Sequence, residues 1–124
     1  MLNTISTVSE IIIALGLLNV WILRFNKETP YRGGIAKTMI EEFTEYDLPA
    51  WSCYFIGFLK ITASLCLLAG LVFPQLILPS AVLILFLMLA AFTMHIIVHD
   101  PIKKAIPAFS LLVLSTVVVV IRMS

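Results

Sequence analysis

Charge is scarce in this chain. Asp, Glu, Lys and Arg supply 12% of its 124 residues and leave a net charge of +1, whereas about a quarter of a soluble domain is charged. No clustered basic excess marks a nucleic-acid partner. Glycine is sparse too, and the one adjacent pair, Gly33–Gly34, lacks the lysine and serine spacing of a phosphate-binding loop. There are two cysteines and no CxxC pair. Cys53 and Cys66 fall on one expected helix, roughly 20 Å apart at the helical rise, and a disulfide needs Cα atoms within about 7 Å. They cannot bridge each other, and they read as small apolar fillers of a helix interface. No serine has a histidine and a carboxylate arranged around it. The sequence carries no recognisable motif for catalysis by this chain alone.

What is abundant is apolar surface. Hydrophobic residues make up 61% of the chain and the mean hydropathy is +1.11. The length permits one domain, and the composition makes lipid its main solvent. Four apolar runs each approach the roughly 20 residues that cross about 30 Å of hydrocarbon. They cover about 5–23, ending at Arg24; about 51–73, carrying Lys60; about 76–98, with Pro79 in the first turn; and about 105–121, with Pro107 near the start and Arg122 closing it. Backbone groups in lipid must be satisfied within their own segment, so each run is expected to be helical. The expected fold is all-α, an integral membrane four-helix bundle forming a single membrane domain. The first run differs from a signal peptide: no Lys or Arg precedes it, Glu10 lies inside it, and no small-residue cleavage site ends it. It reads as a retained helix.

The loops suggest an orientation. Arg24, Lys27, Arg32 and Lys37 lie between the first two runs, and Lys103 and Lys104 follow the third, against Arg122 alone on the other side. The positive-inside rule then places both basic loops in the cytoplasm and both termini outside. Within the longer loop, Thr29 to Gly34 reads as a turn. From 35 to 46, Ile35, Met39, Ile40, Phe43 and Tyr46 recur at helical spacing, with Lys37, Glu41, Glu42 and Glu45 elsewhere. This predicts a short amphipathic helix on the membrane surface or capping the bundle.

Ionisable side chains inside a span cost about 2.5–3.5 kcal/mol on insertion scales, so each calls for a partner or a role. Lys60 lies near the middle of the second run, on a stripe with Cys53, Gly57 and Ser64. Small, polar stripes of this kind face other helices. The first run has a matching stripe of Glu10, Ala14, Leu17 and Trp21, so Glu10 and Lys60 are expected to meet. Two roles stay open for Lys60: a buried ion pair fixing helix register, or a site for an anion or a quinone carbonyl. His95 and His99 are four apart near the end of the third run and share one helix face. Such a pair begins a metal site only with further ligands. Asp100 points elsewhere if the helix continues, and there is no further histidine, so no metal is expected. Hydrogen bonding at the bundle mouth, proton transfer or ligand contact are the roles left.

The residues also carry a resemblance. Tyr31-Arg-Gly-Gly, Ile40-Glu-Glu-Phe, Tyr46-Asp-Leu-Pro-Ala-Trp51, Ile56-Gly-Phe-Leu-Lys60, Pro74, Met94-His95, His99-Asp100-Pro101-Ile-Lys-Lys104 and Ile106-Pro107-Ala108 are similar in order and spacing to the DoxX-like family. The similarity runs from about Arg24 to Ala108 and departs at Asp47, where a small residue or glycine is frequent. It implies a four-helix membrane bundle and leaves the activity open. Founding members look like the small membrane subunit of a thiosulfate:quinone oxidoreductase, and a distant branch looks like a receptor-assembly chaperone. The leading expectation is an accessory subunit of a membrane redox complex, with other membrane subunits as partners and a quinone or similar carrier as ligand. Lys60, His95, Glu10, Cys53, Ser64 and His99 are the candidate ligand-binding residues. The alternatives are a non-enzymatic assembly or structural protein and a small-solute or lipid transporter, the latter weakened by the lack of inverted repeats.

Overall fold

The computed structural model describes residues 2–23 and 38–123. All regular structure among them is helical. Helix α1 (Leu2–Leu18) continues into a π turn (Asn19–Leu23). After the short α2 (Met39–Glu45) come α3 (Ala50–Ala69), a 3-10 turn (Pro74–Leu76), α4 (Ile77–Ile97) and α5 (Ile102–Met123). Four of these stretches are long and apolar enough to cross a membrane: Thr4–Leu23, Ala50–Ala69, Pro74–Ile97 and Ile102–Met123. The second span ends as a helix earlier than the apolar run does, because residues 70–73 fold into turns before Pro74. The fourth begins earlier than expected, which leaves Pro107 inside the helix.

The spanning helices form a ring in which α1 neighbours α3 and α5, and α4 neighbours the same two. The interior is small and aliphatic, built on Ile13, Leu17, Leu67, Ile84 and Val118. The outer surface is just as apolar. Leu15 of α1, Phe58 of α3, Phe86 of α4 and Val120 of α5 are each 56–66% exposed, which is stable only with hydrocarbon as the solvent.

Helix α2 is capped by the Thr38 hydroxyl, which accepts from the Glu41 amide at 3.2 Å. It seats Met39 and Phe43 in the core, with the Phe43 ring edge-on to Trp21 at 6.1 Å. Amphipathic packing against the bundle is thus confirmed from 39 onward. The expected first part of this helix and the Thr29–Gly34 turn lie outside the described residues.

Helices α2 and α4 end in the same way. Asp47 and His99 each adopt φ 59°. The amide of Leu48 then bonds the carbonyl of Phe43 at 2.9 Å, and that of Asp100 bonds His95 at 3.0 Å. This is the Schellman closure, with a left-handed residue just past the helix end. Pro49 and Pro101 follow and prevent the helix from continuing.

Candidate functional site

The two expected polar stripes both face inward: Glu10, Ala14 and Leu17 on α1 with Trp21 on its π turn, and Cys53, Gly57, Lys60 and Ser64 on α3, are all buried. Their pairing differs from expectation. Glu10 does not meet Lys60. Its Oε2 accepts from Arg122 Nη2 at 2.9 Å and Nε at 3.2 Å and from the Ser6 hydroxyl. Helices α1 and α3 run antiparallel, and side chains on a helix lean toward its N-terminus. The Lys60 side chain therefore leans toward the loop-side end, away from Glu10. Its ammonium lies over the Trp21 ring, 4.9 Å from the centroid. Glu10 and Trp21 are separated by roughly 16 Å along α1 at the usual rise. Arg122 looked like a terminal flanking charge in the sequence; a helix-end guanidinium is long enough to reach back into the bundle.

Gly57 makes the Lys60–Trp21 contact possible. A Cβ at Gly57 would lie 2.8 Å from two ring carbons of Trp21. The benzene part of the indole packs close to the α3 backbone there, within reach of the ammonium. Among the described residues no carboxylate forms an ion pair with Lys60.

A second polar cluster closes the loop-side end. His95 is 6% exposed. Its Nδ1 is 2.7 Å from Asp100 Oδ2, and its Nε2 is 4.0 Å from Glu42 Oε1. The same Glu42 oxygen accepts from the Tyr46 hydroxyl at 2.7 Å, and the Tyr46 ring stands edge-on to the imidazole at 6.0 Å. The expectation that Asp100 points elsewhere is corrected by the chain reversal at His99. Because α4 stops at Ile97, Asp100 folds back under His95 instead of rotating away. Glu42, expected on the polar face of α2, is buried, since Met39, Glu42, Phe43 and Tyr46 share the face turned to the bundle.

These groups surround one cavity of about 550 Å³, within the size range of small-molecule sites. Its walls are mostly apolar, including Trp21, Phe43, Ile56, Met88 and Leu111, and its polar groups include Lys60, Glu42, Tyr46, His95 and Lys104. Of the other candidates, Cys53 is fully buried but lies outside the cavity lining. The Ser64 hydroxyl donates to the Lys60 carbonyl at 2.8 Å, within its own helix. His99 is exposed and separated from the imidazole of His95 by the helix end. The i, i+4 histidine pair therefore does not form. Among the described residues, no three His, Cys, Asp or Glu side chains gather as a metal site.

A family model described as DoxX-like matches residues 34–118, more than half of the chain. The chain belongs to the DoxX-like family. No curated protein and no solved structure shows significant similarity to it. The DoxX-like match takes in Glu42, Tyr46, Lys60, His95 and Lys104, and so most of the polar lining of the cavity. Trp21 and the Glu10–Arg122 pair lie outside it.

Proposed function

We propose that this membrane protein binds a quinone or a similar lipid-soluble carrier in the loop-side cavity, as an accessory subunit of a membrane redox complex. The observation that carries the reading is that the Lys60 ammonium and the His95 imidazole line one mostly apolar cavity. A flat, apolar ring with polar oxygens at its edge suits such a lining. Lys60 donates a hydrogen bond to one carbonyl and stabilises negative charge as it develops there. His95, backed by Asp100, exchanges protons at the cavity mouth. Electrons come from redox groups on a partner subunit. On this reading the chain forms one membrane domain, with the basic loops in the cytoplasm, both termini outside, and proton exchange facing the cytoplasm.

The test is purification of the full chain in mild detergent, followed by extraction and chromatography of the lipid-soluble molecules it retains. A retained quinone that falls at least tenfold in Lys60→Met, with the fold intact, supports the reading. A wild-type chain that retains none and binds none added back sinks it. Reporter fusions at the C-terminus test the orientation, and a cytoplasmic signal would reverse it.

A further inference from the structure

His95 Nε2 and Glu42 Oε1 face each other across 4.0 Å, too far for a hydrogen bond. Both residues line the cavity, and their side chains keep only 8% and 12% of their surface exposed. Each is held by a further partner. Asp100 fixes the imidazole through Nδ1 at 2.7 Å, and the Tyr46 hydroxyl donates to Glu42 Oε1 at 2.7 Å. A carboxylate oxygen has a second lone pair to offer. An oxygen atom about 2.8 Å from both Nε2 and Oε1 fits the gap, so a group bound in the cavity can bridge them.

The gap is selective in its chemistry. The Asp100 carboxylate accepts, so Nδ1 carries a hydrogen, and Nε2 has either a lone pair or, in the imidazolium, a second hydrogen. A hydroxyl matches both states: it donates to the neutral ring, or accepts from the imidazolium while donating to Glu42. A carbonyl oxygen has no hydrogen to give. It would meet the Glu42 carboxylate lone pair to lone pair, in a place with little water to intervene. Lys60, by contrast, has three N–H donors and no acceptor, and takes a carbonyl, ether or hydroxyl oxygen alike. Discrimination between oxidised and reduced carriers therefore falls to the His95–Glu42 gap. We infer that this gap is a hydroxyl subsite, through which the cavity binds the reduced, dihydroxy form of an aromatic carrier in preference to the oxidised form, with Glu42 setting the preference. The inference deepens the carrier reading above and rests on it.

The test titrates the full chain, in mild detergent under argon, with two probes by calorimetry: a dimethoxybenzoquinone and its hydroquinone. A site built to hydrogen-bond a hydroxyl rejects the analogue lacking it, and the hydroquinone is expected to bind about tenfold more tightly. Glu42→Gln replaces the carboxylate with an amide that also donates. It should bring the two probes within about threefold of each other, mainly by weakening the hydroquinone. If that variant fails to fold, Glu42→Asp, which keeps the charge but withdraws the oxygen from the gap, is measured in its place with the same expectation. Equal or tighter binding of the quinone by the wild-type chain overturns the hydroxyl subsite and leaves the carrier reading standing. A tenfold preference that persists in the folded Glu42 variant also overturns the subsite. No binding of either probe overturns the carrier reading, and the subsite with it.

Discussion

Asp100 reaches back past the end of its own helix to hold Nδ1 of His95 at 2.7 Å. The carboxylate is buried with the imidazole, and the left-handed turn at His99 puts it there. One backbone reversal therefore determines which way the ring points. Asp100→Asn keeps an acceptor for Nδ1–H and should preserve cavity binding within about threefold, whereas Asp100→Ala frees the ring and should weaken it about tenfold, roughly 1.4 kcal/mol. Quenching of Trp21, in the cavity wall, by a benzoquinone probe in a Trp51→Phe background measures both. Equal losses in the two variants would mean that orientation is not the role of Asp100.

The Glu10–Arg122 pair should behave asymmetrically. Glu10 is 1% exposed, while the Arg122 side chain keeps 22% of its surface exposed. Arg122→Met strands a buried carboxylate and should cost about 3 kcal/mol, whereas Glu10→Leu leaves a cation that still reaches solvent and should cost less. Together the two changes should approach neutrality. Thermal unfolding in detergent reads all three. Significant coupling between Glu10 and Lys60, in place of Arg122, would contradict the observed pairing.

Removing Lys60 should leave stability nearly unchanged. Its contact with the Trp21 face is worth about 1–2 kcal/mol, and the desolvation of a buried ammonium works against it. Lys60→Met is expected to shift stability by less than about 1 kcal/mol while abolishing most ligand retention. Parallel losses in both measurements would make Lys60 structural.

Gly57→Ala should be the more damaging change in the same place. The added methyl meets Trp21 ring carbons at 2.8 Å, so the indole must shift, at a cost of about 1–3 kcal/mol. With Trp51 replaced, the emission of Trp21 should change as the ring leaves the ammonium. An unaltered spectrum and melting temperature would show that the helices separate without strain.

Asp47→Gly and His99→Gly should each stabilise the protein by roughly 0.5–1 kcal/mol, since both positions have φ 59° and glycine occupies that region without strain. The gain is read in thermal unfolding. A loss at either position would mean that the native side chain makes a compensating contact.

The spans were legible in the sequence because twenty-residue apolar runs leave the backbone no alternative to a helix in lipid. The inward stripes were legible too, since helical spacing alone groups Glu10 with Trp21 and Cys53 with Lys60. What spacing cannot supply is the partner of a long side chain. Glu10 was matched to Lys60 because both face inward, but a lysine leaning toward its helix N-terminus and an arginine reaching back from a helix end reverse that choice. Asp100 was missed although its signal was present: Pro101 disfavours a helical Asp100, so the chain had to turn at that point. Glu42 is left out of the apolar stripe by its charge, and the neighbours Met39, Phe43 and Tyr46, whose face it shares, are the better guide.

The two polar levels of the bundle are separated by aliphatic packing. Between Glu10 and Lys60 the interior consists of Ile13, Ala14, Leu17, Leu67 and Ile84, all 3% exposed or less, and the buried Ser64 and Ser115 turn their hydroxyls onto carbonyls of their own helices. Among the described residues, the charged level at Glu10 and the level of Lys60 and His95 are therefore insulated from each other: a change of charge at one meets no side chain that would relay it to the other.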